Sequence, residues 1–65
     1  MFYVLDFRSH QFRTCHTIQD VLLQIKYLLL SGVYEDEIEI VSCFHDEIRF
    51  TVDEFISDNE GGAAV

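Results

Sequence analysis

The residues of this chain best able to ligate a metal are two cysteines and three histidines, arranged as Cys15-His16 and Cys43-x-His45 with His10 apart. Tetrahedral zinc takes ligands that converge from close pairs. Neighbouring residues of a strand point to opposite faces, so Cys15 and His16 do not converge if that stretch is extended. Calcium would need an Asp-x-Asp-x-Asp-Gly loop, which the acids around Glu35 lack. A cysteine nucleophile served by His10, His16 or His45 has no local signature, and a buried, inert thiol is the usual state of such a residue. Asp53 and Glu54 are adjacent acids, yet adjacent strand residues face apart and a chain this short leaves little room for a pocket. No metal, no cofactor and no enzymatic activity are expected.

What the chain does carry is a lopsided charge. Residues 1–34 contain two acids (Asp6, Asp20) and three bases (Arg8, Arg13, Lys26), whereas residues 35–65 contain ten acids and only Arg49, so the first half is +1 and the second −9, which together make the net charge of −8. Net charge bears on partners and association rate rather than on fold, and this distribution points to a basic partner surface. Direct nucleic-acid binding is not expected, because four basic residues make no cationic patch. The longest apolar stretch, Val21 to Leu30, is interrupted by Gln24 and Lys26 and falls short of the roughly 20 residues that span a bilayer. Charged and polar residues from Asp6 to His16 interrupt any early apolar run, so no secretory signal is expected and the two cysteines are read as free thiols in a cytoplasmic setting.

The elements that must carry these residues follow from pattern. Phe2 to Phe7 is aromatic and branched, Gln11 to His16 reads as a second strand, and Ser9-His10 lies between them. Pairing Arg8 with Gln11 sets Phe7 against Phe12 and Leu5 against Thr14 on an inner face, with Asp6 against Arg13 and Val4 against Cys15 on the outer one. Thr17 is placed as a helix N-cap, with Asp20 near the positive end of the dipole and Gly32 as the stop, which predicts a helix over 18–31. From Glu37 the period becomes two: Ile38 and Ile40 alternate with Glu37 and Glu39, and Ile48, Phe50 and Val52 alternate with Glu47, Arg49, Thr51 and Asp53. Inward residues are even-numbered on both strands, which excludes a two-residue turn and favours the three-residue loop Phe44-His45-Asp46, with Asp46 in the left-handed position. The expected architecture is α+β: one ββαββ domain over residues 1–57, a small antiparallel sheet of about four strands with a helix packed on one face. Residues 58–65, polar and then Gly-Ala-rich, are expected as a flexible tail.

Two surfaces stand out. Around the helix, Ile18, Val21, Leu22, Ile25, Leu28 and Leu29 fall in one apolar stripe, while Leu23, Tyr27 and Leu30 fall on the opposite side. A helix on a sheet needs one apolar face, so the second stripe is covered either by the C-terminal segment through Phe55 and Ile56 or by a second copy or partner. The other surface is acidic. Glu35, Asp36, Glu37 and Glu39 lead into the third strand, Asp46, Glu47, Asp53 and Glu54 flank the fourth, and alternation sets Glu37, Glu39, Glu47 and Asp53 on one sheet face. Like charges on one face repel, with Arg49 alone to offset them. Such a surface suits a basic groove or serves as a solubility and edge-protection device.

The acidic hairpin from Glu35 to Asp53 and the helix between strand pairs resemble, in general layout, the small acidic proteins that phages make against host defences, such as the anti-CRISPR proteins and the phage inhibitors of uracil-DNA glycosylase. The resemblance implies a stoichiometric inhibitor that occupies the nucleic-acid channel of a host nuclease or repair enzyme. The alternative is a dimerisation or adaptor module acting through Leu23, Tyr27 and Leu30.

Overall fold

The computed structural model describes residues 1–44 and 46–61. Four strands form one antiparallel sheet in the order β2-β1-β3-β4, with β1 at Phe2–Asp6, β2 at Gln11–Cys15, β3 at Ile38–Cys43 and β4 at Glu47–Thr51. Helix α1, Ile18–Leu30, crosses the β1 and β2 side of one face. A short second helix, α2 at Val52–Ile56, covers the β3 and β4 side. The ββαββ order and the mixed architecture are therefore as the periodicities predict, with α2 added at the C-terminal end.

Local signals account for α1 at both ends. The Thr17 hydroxyl accepts from the Asp20 amide at 3.1 Å, so the N-cap is made as the residue types suggest. At the other end the Val33 amide donates to the Leu28 carbonyl at 3.0 Å and the Gly32 amide to the Leu29 carbonyl at 3.1 Å, the paired bonds of a Schellman stop. Gly32 sits at φ 98, in the left-handed region where a side chain is strained. No basic residue lies in the last turn of α1, but the Arg8 guanidinium reaches over from the β1–β2 turn and donates to the Gly32 carbonyl, placing a cation at the negative end of the helix.

The β3–β4 hairpin has the anticipated register. Ile40 faces Phe50 and Ser42 faces Ile48, with residues 44–46 between the strands. His45 lies outside the described residues. Among the described residues the only non-glycine one whose backbone lies in the left-handed region is His10, at φ 57, and the φ of Asp46 depends on His45.

The β1–β2 hairpin departs from expectation in register and in facing. Asp6 pairs with Gln11, Leu5 with Phe12, Val4 with Arg13 and Phe2 with Cys15, so the turn spans Phe7 to His10 rather than Ser9-His10 alone. Asp6 explains the longer turn. Its carboxylate accepts from the Arg8 amide at 2.9 Å and from the Ser9 hydroxyl at 2.6 Å, a side-chain-closed loop that a two-residue turn cannot make. Phe2, Val4 and Asp6 face α1 and are buried, whereas Phe7 and Phe12, expected inside, are 50% and 64% exposed. β1 is apolar on both sides, so its own alternation does not choose a face. Its pairing with β3 does, because Val4 lies opposite Ile40 and Asp6 opposite Ile38.

The chain also leaves β4 two residues earlier than its alternation suggests. Thr51 caps α2: its hydroxyl accepts from the Glu54 amide at 3.1 Å and its amide donates to the Glu54 carboxylate at 2.9 Å. This is a capping box, and its Thr-x-x-Glu signature stands in the sequence. Val52 and Asp53 are therefore helical, not strand residues. α2 inserts Phe55 into the core between Phe2 and Phe50, each edge-on with ring centroids 5.8 Å away. A single π-helical turn, Ser57–Gly61, follows, so the segment expected as a tail from residue 58 is in part helical; residues 62–65 lie outside the described residues.

The core comprises Phe2, Val4, Cys15, Val21, Ile25, Val33, Ile38, Ile40, Val52 and Phe55, with Leu22, Leu28, Phe50 and Ile56 packed around it. Asp6 is the buried charge among them, 8% exposed. The Ser9 hydroxyl, then the Arg8 and Ser9 amides, hold its carboxyl below the usual aspartate pKa against the opposing effect of burial. A carboxyl lowered in the folded state contributes stability that is present above its unfolded pKa and is lost as pH falls through its folded pKa. Asp6→Asn is thus expected to be destabilised relative to wild type at pH 7, with the gap in urea midpoint closing below about pH 4. A gap unchanged between pH 7 and about pH 2.5 would show that the Asp6 charge plays no part.

Candidate interaction surfaces

Of the eight acids singled out in the sequence, seven divide between the two ends of the sheet and Glu39 lies within β3. Glu35, Asp36 and Glu37 form a 3-10 turn leading into β3, and α2 packs against that turn, which brings Asp53 and Glu54 to the same end. Asp46 and Glu47 lie at the far end of β3, about 17 Å away at strand rise. Glu39 and Glu47 do share the open sheet face, but Glu37 and Asp53 have left the strands, so the four-acid strand face is not formed.

Several of these acids have local duties. Arg49 bridges Glu39 and Glu47, each at 3.0 Å, and its pKa is raised first by Glu47 and then by Glu39. Such exposed pairs contribute little to stability, but they cancel charge on the open face. Glu37 accepts from the Tyr34 amide at 3.1 Å and Glu54 caps α2. Glu35, Asp36 and Asp53 are exposed and line one recess of about 370 Å³, whose other walls include Phe7, Ile38, Phe50 and Val52. No base lines it. The apolar walls were not anticipated, because the early end of β4 and the outward-facing Phe7 are both needed to make them.

No described residue covers the helix stripe. Leu23, Tyr27 and Leu30 are 63%, 56% and 79% exposed, and they line a shallow recess with Lys26 and Ser31. The C-terminal segment does fold onto the molecule, but Phe55 enters the core beside Phe2 and Phe50 instead of lying over this stripe. Ile56 instead forms the far wall of a groove of about 690 Å³ beside α1, which Leu22, Leu23, Ile25 and Leu29 also line. A third apolar area, unnoticed in the sequence, lies on the open sheet face, where Tyr3 and Phe12 meet edge to face at 6.0 Å above half-buried Leu5. Apolar residues on both alternations of β1 were its available signal.

The cysteines are far from sharing a site. Cys15 is buried in the core, where desolvation raises its pKa, and Cys43 is exposed on the opposite sheet face two strands away. Titration of the native protein is therefore expected to find one fast thiol, Cys43, with Cys15 reacting only after denaturation. Two equally fast thiols would contradict the burial of Cys15. Among the described residues no three His, Cys, Asp or Glu side chains gather to hold a metal, and no helix is long and apolar enough to cross a membrane. What the molecule presents is an acidic end and an apolar helix face, and no protein-family model, curated protein or solved structure matches the chain that carries them.

Proposed function

We propose that this chain is a non-enzymatic protein inhibitor, of the phage-encoded kind, whose acidic end occupies the basic nucleic-acid-binding groove of a host nuclease such as a CRISPR effector or of a DNA repair enzyme. The observation that carries the reading is the recess in which Glu35, Asp36 and Asp53 stand over Phe7, Ile38, Phe50 and Val52. A lysine or arginine of the groove lays its aliphatic stem on these apolar walls and sets its charge among the carboxylates, as long basic side chains do on amphipathic surfaces. Glu37 and Glu54 add charge nearby, which strengthens long-range steering. A second reading, a module that binds a protein through Leu23, Tyr27 and Leu30, draws on the exposure of that stripe.

Salt and competition separate the two. Inhibition of a nucleic-acid enzyme by the acidic end should weaken by at least about tenfold in apparent affinity between about 50 and 200 mM salt, and the enzyme's own nucleic acid should displace the inhibitor. Binding to such an enzyme that is insensitive to salt and persists alongside its nucleic acid would refute the groove reading.

A further inference from the structure

The side of α1 turned away from the sheet has no cover among the described residues, and it continues into the groove walled by Ile56, with Leu23, Leu30 and the exposed Lys26 lining both. We propose that a second copy of this chain occupies it, α1 against α1, as a weak two-fold homodimer. The charge distribution selects a second copy. The ionisable side chains of α1 that are exposed include one carboxylate, Asp20, and one ammonium, Lys26, whereas the chain as a whole carries −8. Two copies can thus meet on this face without bringing their acidic ends together, and a basic partner is drawn to the other half of the molecule. The apolar groove receives the most exposed side chain of the stripe, Leu30 of the other copy.

Area sets the strength. A helix of 13 residues presents a face about 20 Å long, and pairing two such faces buries on the order of 1,000 Å² in total, at the lower bound for a specific interface. The dimer is therefore expected to exchange with monomer in the micromolar range. A two-fold axis leaves the helices either parallel or antiparallel. The Glu35–Glu37 turn follows the C-terminal end of α1, so the antiparallel arrangement sends the two acidic ends to opposite poles, beyond the screening length of about 8 Å, and opposes the helix dipoles. Centring the contact on the stripe then sets Leu23 against Leu30 of the other copy.

Sedimentation equilibrium of the full chain from about 5 to 200 µM should show a monomer–dimer equilibrium, and L23E/L30E should raise the dissociation constant by at least about tenfold while leaving the circular dichroism spectrum and urea midpoint as in wild type. A wild type that stays monomeric throughout, or a dimer indifferent to L23E/L30E, would overturn the proposal. Orientation is read by disulfide trapping in a Cys43→Ser background: mixed L23C and L30C chains should cross-link to each other faster than either does to itself. Faster like-to-like cross-linking would overturn the antiparallel arrangement. The dimer does not rest on the acidic end binding a groove, and a failed dimer leaves that reading untouched.

Discussion

Phe55→Ala is expected to cost the chain about 3–5 kcal/mol of stability at 25 °C, the largest loss of any single substitution in the core. Phe55 is 1% exposed and is the largest fully buried side chain, wedged between Phe2 and Phe50 at the junction of α2 with the sheet. Truncating a buried phenylalanine costs about 3–5 kcal/mol through lost transfer energy and the cavity left behind. A domain of this length has total stability of roughly 3–10 kcal/mol, so the loss removes from about a third to all of it. The clustering of three rings sharpens the effect, because Phe2 and Phe50 each lose an edge contact at the same time. Phe12→Ala supplies the contrast. That ring is 64% exposed on the open sheet face, and its removal should shift stability by less than about 1 kcal/mol. Far-UV circular dichroism and urea titration of both variants read the difference directly. An F55A protein within about 1 kcal/mol of wild type would mean that α2 is dispensable to the core.

The second large effect concerns association. Reversing Glu35 and Asp53 to lysine in one chain should slow capture of a nucleic-acid-enzyme target by at least about tenfold at about 50 mM salt, with a smaller change in dissociation, because steering acts before contact. Both residues are exposed and both line the recess at the acidic end. Neither makes a hydrogen bond or ion pair among the described residues that the fold would lose. Asp53 does lie in the first turn of α2, where a lysine opposes the helix dipole, so stability should fall by no more than about 1 kcal/mol. Glu47→Lys makes the internal comparison. It lies at the other end of the sheet and is already offset by Arg49, so its reversal should matter less to the rate than either change at the recess. Stopped-flow or surface-based rates at several salt concentrations give the ordering. Equal rates for wild type and the double reversal would reduce the acidic end to a solubility device.

Leu23→Glu, by contrast, should leave the salt dependence of that association as it is in wild type, since the helix face carries few charges. The two surfaces are separable by mutation because they occupy different elements: the recess is built from the 3-10 turn, the β4–α2 junction and Phe7, while the stripe belongs to α1 alone.

Features closed by residues near one another in the chain are legible in the sequence of this protein. Thr17 and Gly32 bound α1 because caps are made within a few residues, and the even spacing of Ile38, Ile40, Ile48 and Phe50 required an odd loop between β3 and β4. The Thr51-x-x-Glu54 box was equally local and equally legible, and it marks where alternation in β4 ceases to be a guide. Packing between elements determined what local pattern leaves open. β1 is apolar on both alternations, and only its pairing with β3 turned Val4 inward and Phe7 outward. The inward turn of Asp6 follows from the same pairing, and the burial of Phe55 from the path of α2 across the sheet. That path also separated the acids, carrying Asp53 and Glu54 to the Glu35 end and leaving Asp46 and Glu47 at the other. One cause underlies all of these: a capping bond or a hydrophobic period is satisfied within one element, whereas the face an element buries is chosen by the neighbour it packs against.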